Sequence, residues 1–441
     1  MSEATANNLA VPDAYDAADT RRRIKAILVG SMGNLIEWFD VYAYTAFSLY
    51  FASSFFPKAD PVAQQLATSV IFAAGFIARP LGGLMFGHVA DRLGRRAALT
   101  WSVLLMCFGS LLIAATPTYA TIGVLAPIIL TVARVLQGIS QGGEYGTSTA
   151  YLSEISHPER RGFYSGVWYT TLIGGNLLAL LLLLILQKLL LTPEQLSAWG
   201  WRIPFVIGAL LAIYTFWMRR DMHETDHFAA TKKATEKRGL GDLWRHWPQL
   251  LMVVGITIGG TSAFYTYTTY MQKFLKLSVG LTDDQTTLVV LGSMTVAIIL
   301  QPLYGMISDK IGRKPLLVAF GVLGVIFTYP LLTSIQETKS PLVAWLLISA
   351  AWAIVSGYTS ITAVVKTELF PTSVRALGVG LPYALTVSIF GGTVDSVALF
   401  FKNQGHENWF FWYATGCILI SLIVYVTLKD TKKTSRIDQH Q

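Results

Sequence analysis

Residues 87–96 read Gly87-His88-Val89-Ala90-Asp91-Arg92-Leu93-Gly94-Arg95-Arg96, and residues 305–314 read Gly305-Met306-Ile307-Ser308-Asp309-Lys310-Ile311-Gly312-Arg313-Lys314. Both follow one pattern, G-x-x-x-D-[RK]-x-G-[RK]-[RK]. Each copy is a short polar loop that follows an apolar run long enough to cross a hydrocarbon core of about 30 Å. A second landmark repeats in the same way. Glu154 stands seven residues before Arg161, and Glu368 seven before Arg375. One basic loop with an incidental acid is ordinary in a membrane protein, but two pairs in the same register are not. Each pair can set an acid and a base at the ends of neighbouring helices, within reach of the Asp and Arg of the decapeptide. Such a network latches one conformation and must open in another, so Gly87, Asp91, Arg92, Gly94, Arg95, Asp309, Gly312, Arg313, Glu154, Arg161, Glu368 and Arg375 are read as a gate.

Outward from these loops the chain is almost wholly apolar. Of 441 residues, 53% are hydrophobic and 14% charged, where a soluble domain carries about a quarter charged. Twelve spans are expected near 26–50, 66–90, 98–116, 121–149, 163–188, 201–218, 249–274, 285–307, 316–334, 342–365, 376–401 and 408–428. The polar stretch 219–248 divides them into two sets of six. The expected organisation is a tail (1–25), a six-helix half (26–218), a linker (219–248), a second half (249–428) and a closing tail (429–441). The apolar stretch after Arg21-Arg22-Arg23 is span length and lacks a small-residue cleavage site, so it reads as a retained helix rather than a signal peptide.

The net charge of +8 orients the chain and does not mark a nucleic-acid binder. About 25 of the 34 Lys and Arg fall in the termini and even-numbered loops, and only about six in the odd-numbered ones. The positive-inside bias therefore places both termini in the cytoplasm. Cys107 and Cys417 fall inside spans and read as buried free thiols. No His cluster has metal-ligand spacing, and no nucleophile motif is present. No polar segment is long enough for a signalling domain. Neither an enzyme nor a sensor is expected, and no cofactor is implied.

The spans carry ionisable groups, and each costs about 2.5–3.5 kcal/mol at the bilayer centre even on an insertion scale. Span one places Asn34, Glu37 and Asp40 on one face. Span two has Arg79 before Pro80. Span four has Arg134, Gln137 and Glu144 beside a small-residue face of Gly138, Gly142 and Gly146, suited to close packing. Span seven holds the run Tyr265-Thr266-Tyr267-Thr268-Thr269-Tyr270, and span ten offers Ser356, Tyr358, Ser360, Thr362 and, at its end, Lys366. Asp395 lies in span eleven. These charges either pair with one another or serve a transported solute. For Glu144 and Asp395 the two readings stand nearly level, with Asp395 the weaker functional candidate because it approaches the periplasmic end of its span. For Arg79 and Arg134 a guanidinium fork suits carboxylate recognition.

The doubled loop motif resembles the signature of the major facilitator superfamily, over essentially the whole chain. That resemblance implies an all-α membrane protein of twelve helices, two six-helix halves about a central cavity and alternating access, with spans one, four, seven and ten lining the cavity. Gly33-Asn34-Leu35-Ile36-Glu37-Trp38-Phe39-Asp40-Val41-Tyr42, Arg134-Val135-Leu136-Gln137-Gly138, Gln141-Gly142-Gly143-Glu144-Tyr145-Gly146 and Trp199-Gly200-Trp201-Arg202-Ile203-Pro204-Phe205 look like its metabolite–proton symporters. Phe72–Phe76, Met106–Ser110, Thr171–Gly175, Tyr267–Lys273 and Val374–Leu381 are most similar to members of that family carrying a C5 dicarboxylate. The resemblance implies a bacterial cytoplasmic-membrane protein, a monomer in the lipid bilayer, taking up a small organic acid, 2-oxoglutarate, with protons as the coupling ion. Citrate, another dicarboxylate, or a zwitterion such as proline or betaine are the alternatives. The expected substrate residues are Arg79, Arg134, Gln137, Tyr267, Tyr270, Tyr358 and Lys366, and the expected proton carriers are Glu37, Asp40 and Glu144.

Overall fold

The computed structural model describes residues 21, 24, 32–93, 95–142, 144–220, 243–371 and 374–437, without the side chains of 32, 87, 90–99, 144, 147, 151, 154, 155, 215 and 218–220. Twelve helical passes run through the described residues. They are α1 (Met32–Phe55), α2 (Pro61–Leu93), α3 (Arg95–Ala115), α4 in two segments (Leu125–Gln141 and Glu144–Ile155), α5 (Arg161–Ile185) and α6 (Ile203–Arg220). The second set is α7 (Trp247–Tyr265, continuing through Thr266–Tyr270, Met271–Phe274 and Leu275–Val279), α8 (Asp283–Ile311), α9 (Arg313–Glu337), α10 (Pro341–Thr359 and Thr362–Glu368), α11 (Arg375–Phe390 and Val394–Asn403) and α12 (Glu407–Thr427). Eight passes are long and apolar enough to span a membrane by length and composition alone. The first helix, α1, is not among them; besides Asn34, Glu37 and Asp40 it carries several Tyr and Ser residues. An intramembrane helix with such a face must turn it inward.

Local chemistry sets where the helices begin. Proline occupies the first turn of α2 and α10, where its missing N–H is no loss. Thr282 and Gln285 form a capping box on α8, and Ser340 accepts a hydrogen bond from Val343 N on α10, each satisfying an otherwise orphaned donor. Pro80, Pro302, Pro330 and Pro382 lie inside helices, tolerated because neighbouring helices re-satisfy the freed carbonyls.

Small residues bring the helices together. A Cβ on Gly138 would lie 1.8 Å from the Gly75 carbonyl oxygen, and one on Gly142 1.9 Å from that of Arg79. The α4 backbone therefore rests directly on α2. Gly146 continues the face onto α11, where a Cβ would meet the Ala376 carbonyl at 2.4 Å. In lipid such backbone approach, rather than apolar burial, drives association.

The first six passes and the last six meet along α5–α8 and α2–α11. On the face bearing the repeated loops (the motif face), Gly162 packs on Gly305 and Gly166 on Gln301. On the opposite, far face, Ser69 and Ser396 are hydrogen-bonded at 3.1 Å, Gln272 donates to Ala46 O at 3.5 Å, and Lys188 pairs with Asp284. Contact at both ends closes the halves over the buried polar groups between them.

Candidate functional site

The polar stripe of α1 divides between two environments. Asp40 turns into the first half, where its carboxylate accepts from Ser110 Oγ at 2.7 Å and from Gln137 Nε2. Gln137 also accepts from Arg134 Nη1 at 2.7 Å. The result is a closed chain, Asp40–Gln137–Arg134, with all three groups buried. Arg134 lies 4.5 Å from the Tyr44 ring centroid and 5.1 Å from that of Phe72, a cation–π seat that replaces water. Gly208 of α6 makes the chain possible, since a Cβ there would sit 2.9 Å from Asp40 Oδ1. Glu37, one turn earlier, is also buried.

Arg79 stands at the boundary between the halves. Its Nη2 donates to Gln141 Oε1 at 2.7 Å, and its guanidinium lies 3.7 Å from the Phe76 centroid and 5.3 Å from that of Trp38. Tyr265 of α7 covers this group from the other half, 5.4 Å from Phe76 and 6.4 Å from Trp38. The Nε–H of Arg79 is buried without a hydrogen-bond partner, as is that of Arg134.

Lys366 comes from the second half and is fully buried. Its ammonium donates to Tyr358 Oη at 3.3 Å and sits 4.3 Å from the Tyr383 centroid, 5.6 Å from Tyr145 and 5.7 Å from Tyr358. Tyr145, from the first half, stacks on Tyr383 at 3.4 Å. Tyr358 is seated against Gly260, where a Cβ would meet its ring at 2.2 Å. Among the described residues no carboxylate pairs with Arg79, Arg134 or Lys366. A buried cation without a counter-ion is expensive; Arg134 is linked to the Asp40 carboxylate through Gln137, whereas Arg79 and Lys366 have no such link among the described residues.

Several expected residues lie elsewhere. Tyr270 donates to Glu407 Oε1 at 2.8 Å and packs on Phe274 and Phe410, on the far side of the second half. Tyr267 packs on Trp352 at 6.3 Å. The physical reason is a π-helical turn over Thr266–Tyr270, whose wider winding rotates the run away from the direction a regular helix gives it. It leaves Tyr265 as the member of the run facing Arg79. Trp38, Gln141 and Tyr145, which stand in the sequence only as members of motif stretches, and Tyr383 also surround Arg79 and Lys366; their signal, aromatic or amide side chains on the same turns as the spans' charges, is weak. Glu144 lies outside the described side chains.

The second copy of the repeated motif forms an ionic cluster at the boundary of the halves. Asp309 accepts from Gly162 N and Phe163 N, both at 2.8 Å, so a carboxylate of the second half caps the N-terminus of α5 in the first. Those amides have no helical partner and sit at the positive end of the helix dipole, which favours an anion there. Arg313 ties this cap to the rest of its half, pairing with Asp309 at 2.8 Å and with Glu368 at 3.4 Å. Gly312 has φ +99°, a conformation that suits glycine. Arg375 donates to Phe370 O and to Ile437 O, at 3.4 and 3.2 Å, and Arg161 is buried. Gly87, Asp91, Arg92, Gly94, Arg95 and Glu154 lie outside the described side chains. The segment after α12 lies over this cluster: Asp430 accepts from Arg313 N at 3.0 Å, Thr431 donates to Glu368, and Arg436 N donates to Glu368 O at 3.0 Å.

Comparison with known proteins agrees with this architecture. The sequence pattern described as sugar (and other) transporter matches residues 26–239 and 219–441. The chain is 47% identical to the alpha-ketoglutarate permease of Escherichia coli K12 over 421 residues, 96% of this chain and 97% of that one. It is 33% identical to the citrate–proton symporter of Klebsiella pneumoniae, covering 90% of this chain and 91% of that one. Against a proline/betaine transporter of Salmonella typhimurium the identity is 31%, over 92% and 83%. The crystal structure of a D-xylose–proton symporter superposes with a TM-score of 0.73 at 19% identity, covering 93% of this chain and 99% of that one.

Proposed function

The chain belongs to the sugar (and other) transporter family of the major facilitator superfamily, and on that footing we propose that it takes up 2-oxoglutarate together with protons. The observation that carries this reading is the placement of Arg79 and Lys366. Each is buried, each lacks a carboxylate partner among the described residues, and they come from opposite halves. A dicarboxylate spanning them neutralises both and ties the halves together, which is what occlusion requires. The aromatic lining of Trp38, Tyr145, Tyr265, Tyr358 and Tyr383 excludes water and offers hydroxyls to the carbon chain. Arg134, joined to Asp40 through Gln137, belongs to the proton path rather than to the substrate. Sequence relatedness to a permease for alpha-ketoglutarate over nearly the full length of both chains supports the same substrate.

Proton coupling answers an electrostatic need. Bringing a dianion into a cell at 100 mV, negative inside, costs about 4.6 kcal/mol, enough to oppose more than thousandfold accumulation. Two protons entering with it cancel that charge, and further protons add driving force. Asp40 is the proton carrier in this scheme, with Glu37 beside it on the same helix. Protonation of Asp40 removes the charge that holds Gln137 and Arg134. Because Trp38, two residues away, seats Arg79, the change passes along α1 to the substrate cation. The motif face is taken as cytoplasmic, from the distribution of Lys and Arg, and the chain as a monomer in the bacterial inner membrane.

The test is uptake of labelled 2-oxoglutarate into proteoliposomes with and without an inward proton gradient. Gradient-dependent accumulation, competed by 2-oxoglutarate but not by citrate or betaine, is the expected result. Transport of citrate or betaine in its place would overturn the substrate, and gradient-independent counterflow would overturn the role of Asp40.

A further inference from the structure

Outside the central site the membrane interior holds a second buried ionic group. Lys273 Nζ pairs with Asp395 Oδ2 at 2.6 Å, with side chains 1% and 0% exposed, and Thr269 Oγ1 donates to Asp395 Oδ1 at 3.0 Å. A pair held in this environment has lost the hydration of both charges, and an apolar pair of similar volume is often as stable or more so. Stability therefore does not account for it.

Its position does point to a use. Lys273 lies in the four-residue α-helical stretch Met271–Phe274, between two π-helical stretches, Thr266–Tyr270 and Leu275–Val279. Asp395 lies in the first turn of the second segment of α11, just after the chain breaks at Gly391-Gly392-Thr393. So the pair joins two of the three interrupted helices described in the second half, α7 and α11, at their irregular points. In transporters interrupted helices build the sites about which one bundle rocks against the other, and π turns concentrate at functional sites.

The neighbours of both residues reach across to the first half. Gln272, beside Lys273, donates to Ala46 O. Ser396, beside Asp395, bonds Ser69. Gly392 rests on Phe76, where a Cβ would lie 2.3 Å from that residue's Cβ, and Ser388 Oγ donates to Phe76 O. The far-face contacts contributed by α7 and α11 are thus made by residues flanking the ion pair on each helix, with Lys188–Asp284 a separate contact.

We infer that Lys273 and Asp395 are positioning residues of the far-face gate: their pairing binds the irregular segments of α7 and α11 into one body that closes against α1 and α2. When the pair is intact the two segments present Gln272 and Ser396 together. With one partner removed, the remaining buried charge draws in water and the segments part. This inference rests on the fold and not on the identity of the substrate.

The experiment uses the full-length protein carrying Ser69→Cys and Ser396→Cys, and follows oxidative cross-linking between these positions as a measure of far-face closure. Protein yield and thermal stability are measured alongside. Lys273→Met and Asp395→Asn, each alone, are expected to slow cross-linking by about tenfold or more, since each leaves an unpaired buried charge. The double variant Lys273→Met/Asp395→Leu, which leaves neither charge, is expected to restore it to within about threefold. Single variants that cross-link at the parental rate overturn the inference. So does a double variant that folds to parental stability yet cross-links as slowly as the singles. If the singles fail to fold, the charge exchange Lys273→Asp/Asp395→Lys decides: recovery of cross-linking supports the pin, and a folded exchange variant that does not cross-link refutes it.

Discussion

Lys366 offers the sharpest separation between a charge kept for packing and a charge kept for a substrate. The residue is fully buried, its nearest polar partner is the Tyr358 hydroxyl at 3.3 Å, and three tyrosine rings stand within 6 Å of the ammonium. Replacing it by Met preserves most of the stem volume and deletes the charge. In the empty transporter this removes an uncompensated buried cation, so thermal stability should stay level or rise. In the loaded transporter it leaves a substrate carboxylate buried without its partner, a loss of about 2–5 kcal/mol for a desolvated charge pair. At 1.4 kcal/mol per decade the Kd for 2-oxoglutarate should rise between about thirtyfold and several thousandfold. Purified protein in detergent, titrated calorimetrically and melted in parallel, gives both numbers. Lys366→Arg, which keeps the charge in a larger and planar head, should recover part of the affinity. Binding within about threefold of the parent for Lys366→Met would refute the clamp. A fall in stability with unchanged affinity would show instead that the ammonium is structural.

Asp40→Asn should abolish proton-driven accumulation while leaving counterflow, because substrate still enters but the titrating group is gone; full accumulation in both Asp40→Asn and Glu37→Gln, measured in proteoliposomes, would remove α1 from the proton path. Asp309→Asn weakens a carboxylate cap on α5 made by two amide hydrogen bonds, at roughly 1–3 kcal/mol, and should raise thiol-reagent accessibility of cysteines placed on the motif face. Asp430→Ala removes the acceptor for Arg313 N and should shift the same accessibility in the same direction by a smaller amount; no change would show that the segment after α12 does not brace the gate. Gly138→Leu should prevent folding, read as loss of membrane-inserted protein, because even its Cβ would fall 1.8 Å from the Gly75 carbonyl oxygen.

The small-residue face of α4 was legible because Gly138, Gly142 and Gly146 recur at helical spacing and their effect is local: a bare backbone admits a neighbour whatever that neighbour is. Where Tyr267 and Tyr270 pack was not legible, for the converse reason. Their place in the run was plain, but side-chain direction depends on the winding of α7, and the π turn at Thr266–Tyr270 is not encoded by the spacing of the run. Arg134 looked equivalent to Arg79 along the chain. They part company only in space, where Gln137 carries Arg134 to Asp40 while Arg79 meets Trp38, Phe76 and Tyr265 at the boundary of the halves.

The sequence by itself determined what short-range physics determines. It showed where the chain is apolar for long enough to cross a bilayer, that the decapeptide loop occurs twice, and that charges sit where hydrocarbon would exclude them. Which of those charges found a partner was decided only by the tertiary structure. Lys273 and Asp395 are 122 residues apart and form one ion pair, Asp309 caps a helix that begins nearly 150 residues earlier, and Lys366 has no counter-charge among the described residues. Pairing is a matter of a few ångströms in a medium of low dielectric, and no spacing along the chain encodes it.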